Sequence, residues 1–348
     1  MKNFDLAIIG AGPAGLSASI EASKHGVKTL IIDENISPGG QLFKQIHKFF
    51  GSKDQMAGLR GYEIGEKLLS IAKNNKVEIM LNTRAIGIDE HNTLAVINNG
   101  IYLEINPKKI ILCCGATEKP LAFPGWTLPG VMGAGAAQTL VNIHRVIPGK
   151  KIFMIGSGNV GLIVSYHLLQ AEVRVKAIID ATREITGYGV HAAKLRRNGI
   201  PFMLGYTINR AIGKDHLERI ELIKVDEKFN KLPSTEIRLD ADILCLAVGL
   251  SPSTELARMI GCTLYYNSTL GGYIPVLNEN METSVKNIYA AGDIIGIEEA
   301  SIAMEEGRLA GLCCAADLGY CIDQTSTKQA LDVIRSHLKQ LRSKGRNK

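Results

Sequence analysis

The sequence predicts an α/β fold built from two Rossmann-like, three-layer units, the second inserted in the first. Three observations carry this reading. A strand, a glycine-rich turn, a helix, a second strand and a closing acid follow one another near the N-terminus, and the same order recurs from Lys151 onward. Each copy continues into short strands with turn signals, then into a buried strand that stops at a glycine. Two segments punctuated by proline, glycine or serine, 120–130 and 249–253, read as chain crossings; the block after the second is too small for a third domain and completes the first unit.

Along the chain, Leu6-Ala7-Ile8-Ile9 is an apolar run of the buried-strand type. It enters Gly10-Ala11-Gly12-Pro13-Ala14-Gly15 and a helix over 14–25, and the next strand, 28–32, closes on Asp33-Glu34. Strands at 77–81, 85–89, 93–97 and 101–105 read as a β-meander, with Asn98-Asn99-Gly100 as its last turn. The segment 109–116 is another buried strand stopping at Gly115. In the second copy, 151–155 runs into Gly156-Ser157-Gly158-Asn159-Val160-Gly161, a helix to Gln170 and a strand 173–179 closed by Asp180. A second meander covers 217–226 and 236–239, and the strand 242–248 ends at Gly249. Finally 287–293 is a strand, followed by a helix from Ala300.

The composition is that of an ordinary globular protein: 348 residues, 46% hydrophobic, 21% charged and 5% aromatic exclude a disordered, collagenous or disulfide-scaffold chain. The 36 glycines gather in compact clusters, as in turns built to approach something closely. No apolar run nears the roughly 18 residues of a membrane helix, and the start lacks the basic and long apolar regions of a secretory signal, so a cytoplasmic chain without a membrane span is expected. The seven cysteines include no C-x-x-C pair, which argues against a zinc or other metal site and against a redox dithiol. The net charge of +6 lies wholly in 328–348, so the neutral body gives no footprint for nucleic acid. In that tail Leu331, Ile334, Leu338 and Leu341 describe a short amphipathic helix with a basic outer face, either a solvated end or a docking surface for a partner.

Context gives the glycine turns their meaning. Each follows a strand, opens a helix and meets an acid at the end of the next strand, 23 residues on from Gly10 at Asp33 and 24 on from Gly156 at Asp180. The first glycine makes the tight turn, the second lets backbone approach a pyrophosphate, and the third lets helix pack on strand. The helix start supplies positive partial charge to the phosphates, and the acid can accept hydrogen bonds from a ribose.

With these turns, Gly39-Gly40-Gln41-Leu42, Cys114-Gly115-Ala116 and Ala291-Gly292-Asp293, the chain resembles the two-dinucleotide-binding flavoproteins of the pyridine nucleotide-disulfide oxidoreductase superfamily over nearly its whole length. The resemblance implies an FAD-binding domain of residues 1–117 and 252–327, an NAD(P)-binding domain of 118–251 and a basic C-terminal helix or tail of 328–348. By that resemblance FAD would be held by Gly10, Gly12, Pro13, Ala14, Gly15, Asp33, Glu34, Gly40, Gln41, Ala85, Cys114, Gly115, Ala116, Gly292, Asp293, Ala300 and Ser301. Asp293 would bind the ribityl chain, and Gly40-Gln41 would lie along the isoalloxazine. Ala300 and Ser301, opening a helix beside the pyrimidine, would stabilise negative charge on the reduced ring, and Glu298-Glu299 fits an acid-rich helix start. The second nucleotide would be held by Gly156, Gly158, Asn159, Val160, Gly161, Asp180 and Gly249. A carboxylate at Asp180 favours NAD(H) over NADP(H), since it accepts from a free 2′-hydroxyl and repels a 2′-phosphate, although Arg183 three residues on softens that preference.

Thioredoxin reductase carries C-x-x-C in its nicotinamide domain, and the glutathione-reductase type carries a cysteine pair after the first helix. This chain has neither, so disulfide reduction by the family mechanism is not expected. A closer resemblance, at Gly39-Gly40-Gln41, at 115–120 and at 123–132, is to the flavoprotein α subunits of sarcosine oxidase, dye-linked proline dehydrogenase and hydrogen cyanide synthase type. Larger members of that branch carry a cysteine-rich iron–sulfur segment absent here, which a small iron–sulfur protein could supply; the expected partners are that protein, a dehydrogenase subunit, or a second copy. Three readings of function stand at this point. One is an FAD-dependent oxidoreductase moving electrons between NAD(H) and a second acceptor or donor. The second is the flavoprotein subunit of an amino-acid or amine dehydrogenase complex, and the third is a non-catalytic nucleotide-binding scaffold. His47, His144 and His191 are the proton-transfer candidates, but no catalytic constellation assigns one a role.

Overall fold

The computed structural model describes residues 4–49 and 56–346. The chain forms two compact units, Met1–Thr117 with Ser251–Lys348, and Glu118–Leu250.

The first unit is centred on a five-stranded parallel sheet in the spatial order Ile288–Ala290, Lys109–Leu112, Leu6–Ile9, Thr29–Ile32, Glu78–Met80. Successive side chains leave a strand on opposite faces, so a strand covered on both sides must be apolar throughout. Leu6, Ile8, Ile31 and Ile111 accordingly join a core with the helices, while Ala7, Ile9, Leu30, Ile32, Ile110 and Leu112 join another with the antiparallel meander. The first helix, Pro13–Lys24, lies close against the long helix Ala300–Asp317 through glycine. A Cβ at Gly307 would sit 2.1 Å from the Ala14 carbonyl oxygen, and one at Gly311 would sit 2.3 Å from that of Ala18. Only a bare backbone permits that approach.

The second unit repeats the plan with a five-stranded parallel sheet in the order Phe202–Leu204, Arg174–Asp180, Lys151–Ile155, Ile243–Leu246, Val131–Gly133. Ile152 and Met154 face its helices; Phe153 and Ile155 face its own meander. The expected α/β class of two three-layer units is the observed one.

Six elements differ from the expectation. Glu78–Met80, taken as the first meander strand, is instead the edge of the parallel sheet. The unread helix Gly61–Asn74 returns the chain parallel to its start, as a crossover must. The first meander therefore has three strands, Thr83–Ile88, Leu94–Asn98 and Ile101–Ile105. Directly after the crossing at 120–130 come two further elements, the strand Val131–Gly133 and the helix Ala134–Asn142. The second meander gains Tyr206–Ile212, whose polar and apolar residues give weak alternation. The tail is also more than a solvated end. The helix Gln324–Arg346 buries Ile334 and Leu338 in the core of the first unit, with Leu331 and Leu341 packed beside them. Each such buried aliphatic contributes roughly 1.5–3 kcal/mol relative to exposure.

Candidate functional site

In both units the glycine turn sits at the carboxyl end of the central strand, where a helix begins. The three glycines of each turn are glycine for different reasons. Gly10 has φ +109, and a Cβ there would lie 2.2 Å from the Cys113 carbonyl oxygen; one on Gly15 would lie 1.9 Å from the Gly10 carbonyl oxygen. The fold itself forbids a side chain at either position. Gly12 has φ −76, which any residue adopts, and a Cβ there would meet no protein atom within 4 Å. The inserted unit matches this. Gly156, at φ +106, and Gly161 would clash with the carbonyl oxygens of Ala247 and Gly156, at 2.2 and 2.1 Å, whereas the nearest atom to a Cβ on Gly158 is the Thr186 hydroxyl at 3.8 Å. Two bare Cα atoms thus face open space at helix starts whose first amides lack intrahelical acceptors. That is the geometry of a pyrophosphate cradle, and FAD in the first unit and a second dinucleotide in the other fit it.

The duplication extends to hydrogen bonds that the sequence did not announce. The Ala11 amide donates to Asp33 Oδ2 at 2.7 Å, and the Ser157 amide to Asp180 Oδ2 at 2.6 Å. A glycine amide from a following loop closes each turn: Gly39 on the Ala11 carbonyl at 2.7 Å and Gly187 on the Ser157 carbonyl at 2.9 Å. Both acids expected to face a ribose therefore point inward. Asp33 is 7% exposed, and its Oδ1 accepts the amide and side chain of Asn35. Asp180 accepts the Ser157 hydroxyl on Oδ2, and the amide and hydroxyl of Thr182 on Oδ1. The short aspartate side chain reaches its own turn and is satisfied there. Beside Asp33, Glu34 is exposed and pairs with Arg84 at 3.0 Å.

Around the first cradle, a Cβ on Gly40 would lie 3.0 Å from the Gly12 Cα, and one on Gly292 would lie 2.8 Å from the Ala14 Cβ, so both predicted loops meet the start of the first helix. Pro13 is the first residue of that helix, and Gln41 is exposed beside Gly40. Cys114 is half-buried with its thiol pushed up to about 12 by burial, and Gly115, φ +71, has open space where a Cβ would stand; Ala116 opens the short strand that follows. Ala85 lies on the meander strand whose Thr83 amide donates to the Asp33 carbonyl. Asp293 is pushed up to about 6 by burial, and Ala300 and the buried Ser301 begin the long helix. Glu298, expected at an acid-rich helix start, pairs with Arg342 of the C-terminal helix, one of the basic residues of the tail that the sequence places in an amphipathic helix with a basic outer face.

In the inserted unit, Asn159 opens the helix and its Oδ1 accepts the Tyr188 amide at 2.8 Å; Val160 is exposed, and Gly249, φ +118, accepts the Lys119 amide on its carbonyl. On the surface after Asp180 lies an open depression lined by Arg183, Arg196 and Arg197 together with Glu184. Of the histidines, His47 stacks on Phe49, His144 is exposed, and the buried His191 is held below its ordinary pKa by burial and by Lys194. Among the described residues no three or more His, Cys, Asp or Glu are grouped to hold a metal, and no helix is long and apolar enough to cross a membrane.

Two units of this kind define the class: a flavoprotein oxidoreductase fold with a duplicated three-layer dinucleotide-binding architecture. The profile of the pyridine nucleotide-disulphide oxidoreductase family matches residues 4–307, and the chain belongs to that family. It is 30% identical over 352 residues to an opine oxidase subunit of Agrobacterium tumefaciens, covering 93% of this chain and 68% of that protein. It is 28% identical to the hydrogen cyanide synthase subunit HcnB of Pseudomonas aeruginosa, covering 97% of this chain and 76% of the other. Among solved structures, thioredoxin reductase of T. acidophilum superimposes with a TM-score of 0.74 at 22% identity, over 91% of this chain and 99% of that one.

Proposed function

We infer that the chain is an FAD-dependent oxidoreductase that moves electrons between NAD(H) and a second acceptor or donor, without a C-x-x-C dithiol. The observation that carries this is the repeated cradle, in which Gly12 and Gly158 lack side chains that the protein itself would tolerate. FAD is assigned to the first unit and the nicotinamide nucleotide to the inserted one. Flavin, when bound, supplies the two-electron chemistry, and the protein's share is to bind, orient and exclude water. The seven cysteines are unbridged.

Two further readings rest on specific observations. Asp180 spends its acceptor capacity on Ser157 and Thr182, and three arginines line the depression after it, which favours a 2′-phosphate and hence NADP(H) as the alternative nucleotide. The relatives named as subunits of opine oxidase and hydrogen cyanide synthase favour this chain as the flavoprotein subunit of an amino-acid or amine dehydrogenase complex.

One anaerobic experiment separates these. The purified chain is expected to show the visible bands of bound flavin, and titration with NADH and with NADPH follows their loss. Rapid bleaching by one nucleotide supports direct electron entry and names the nucleotide. A yellow protein bleached by neither favours the dehydrogenase-subunit reading or a non-catalytic scaffold, and a colourless protein that FAD cannot reconstitute overturns the flavoprotein reading.

A further inference from the structure

The C-terminal helix carries one arginine inward, onto a carboxylate that no dinucleotide motif requires. Arg342 forks across Glu298, with Nε at 3.1 and 3.0 Å from the two carboxylate oxygens and Nη2 at 2.6 Å from Oε2. The same Nη2 donates to Oε1 of Glu306. Glu306, on the long helix, is 2% exposed, and its other oxygen accepts the Gly292 amide at 2.9 Å. Gly292 has φ +81, lies against Ala14, and is followed directly by Asp293. A continuous line of hydrogen bonds therefore runs from the last helix to the turn that bears Asp293.

The charges explain why the line matters. Two carboxylates, Glu298 and Glu306, share the Arg342 guanidinium, and Asp293 is near enough to push Glu306 up. Burial pushes Glu306 up to about 8, while Arg342 and the Gly292 amide pull it down. Above about pH 8, where Glu306 is ionised, a buried carboxylate stripped of its cation is strongly destabilising, whereas a neutral group of the same shape at that place is not. The helix is also anchored by the apolar contacts of Ile334 and Leu338 and by Arg335, which donates to the Glu279 carbonyl and the Asn280 side chain.

We propose that Arg342 is a positioning residue for the flavin: from the C-terminal helix it holds Glu306 on the Gly292 amide and so fixes the turn that carries Asp293 toward the ribityl chain. The proposal rests on the reading that the Gly292-Asp293 turn binds FAD. Docking of the last helix and affinity for the flavin are then coupled, each strengthening the other.

The test uses the full-length chain as wild type, Arg342→Met, Arg342→Lys and the double variant Arg342→Met/Glu306→Gln. Each is freed of flavin and titrated with FAD by fluorescence at pH 9, above the Glu306 value of about 8, and hydrogen exchange is measured over residues 290–297 of the FAD-free protein. Arg342→Met should bind FAD about tenfold more weakly and exchange faster over 290–297, and Arg342→Lys should fall between it and wild type. The double variant should return to within about threefold of wild type, because the glutamine amide oxygen still accepts from Gly292 and no charge is left buried. Wild-type affinity and exchange in Arg342→Met overturn the proposal. So does a double variant no better than the single one, which would make Arg342 only a peg for the helix. A wild-type chain that binds no FAD overturns the flavin reading and the ribityl role with it, while the exchange data still decide whether Arg342 holds the turn.

Discussion

The carboxylate of Asp180 is held by Ser157, whose amide and hydroxyl both donate to Oδ2 at 2.6 Å. With Thr182 filling Oδ1, the four acceptor positions of the group are occupied inside the turn. Burial alone would raise its pKa, but these hydrogen bonds outweigh burial and hold it below the usual aspartate value. The residue that sequence logic would choose to read the ribose is therefore held inside its own glycine turn. Asp180→Asn should weaken NADH and NADPH alike, their losses agreeing within about threefold, and lower the melting temperature by removing charge-assisted bonds of about 1.5–3 kcal/mol. Arg183→Ala should instead weaken NADPH selectively. Equilibrium titration with both nucleotides checks this, and a loss confined to NADH in Asp180→Asn would show the carboxylate reaching the ribose.

The glycines of the first turn divide into those the fold needs and one it does not. Gly15→Ala drives a methyl to within 1.9 Å of the Gly10 carbonyl oxygen, and backbone cannot yield cheaply there. That variant should lose about 1–3 kcal/mol or more of stability, visible in denaturant unfolding. Gly12→Ala has an ordinary φ and free space, so it should unfold as wild type does, yet bind FAD at least about tenfold more weakly because its methyl stands where the pyrophosphate must approach. Equal destabilisation by the two substitutions would remove the argument that Gly12 is reserved for a ligand.

How far these features were legible follows from the range of the interactions that make them. Buried parallel strands are apolar end to end, so Leu6–Ile9 and Lys151–Ile155 were readable, as were the glycine turns that each strand enters. Glu78–Met80 was misplaced because three apolar-flanked residues cannot say whether they pair with the strand after them or with one fifty residues earlier. The inward aim of Asp33 and Asp180 was invisible because a motif gives residue type and spacing, not which of two competing donor sets a short side chain meets first. Arg342 is the clearest case. In sequence it is one basic residue in a basic tail, and only the burial of Ile334 and Leu338 turns it toward Glu298 and Glu306.

Glu306 gives the fold a pH dependence of definite sign. Its carboxyl is raised from 4.5 to about 8, chiefly by burial, so folding favours the protonated form. The stability this lends is fully present below the unfolded value of 4.5 and is lost as pH rises toward and through about 8. Asp293, raised from 3.8 to about 6 by burial, acts in the same direction at lower pH. Glu306→Gln should flatten the fall in melting temperature between about pH 5 and 8 while leaving the region below about pH 4 unchanged. A variant that still loses stability over that window as wild type does would move the titrating group elsewhere.

The cysteines set a last expectation, about chemistry the chain should not perform. Burial pushes the thiols of Cys114, Cys245 and Cys313 up to about 12 and those of Cys113 and Cys314 well above their ordinary value. The thiolate is the species that attacks a disulfide, and at pH 8 these five groups hold almost none of it. A disulfide reagent added to the native protein should therefore find no fast phase from them, whereas all seven cysteines should react once the chain is unfolded. Cys262 and the half-buried Cys321 are raised less and are the sites where any slow native labelling should appear. Peptide mapping of the labelled protein decides between them. Rapid labelling of Cys113 or Cys114 would place a reactive thiol beside the first cradle, and would reopen the disulfide chemistry that the absence of a C-x-x-C pair argues against.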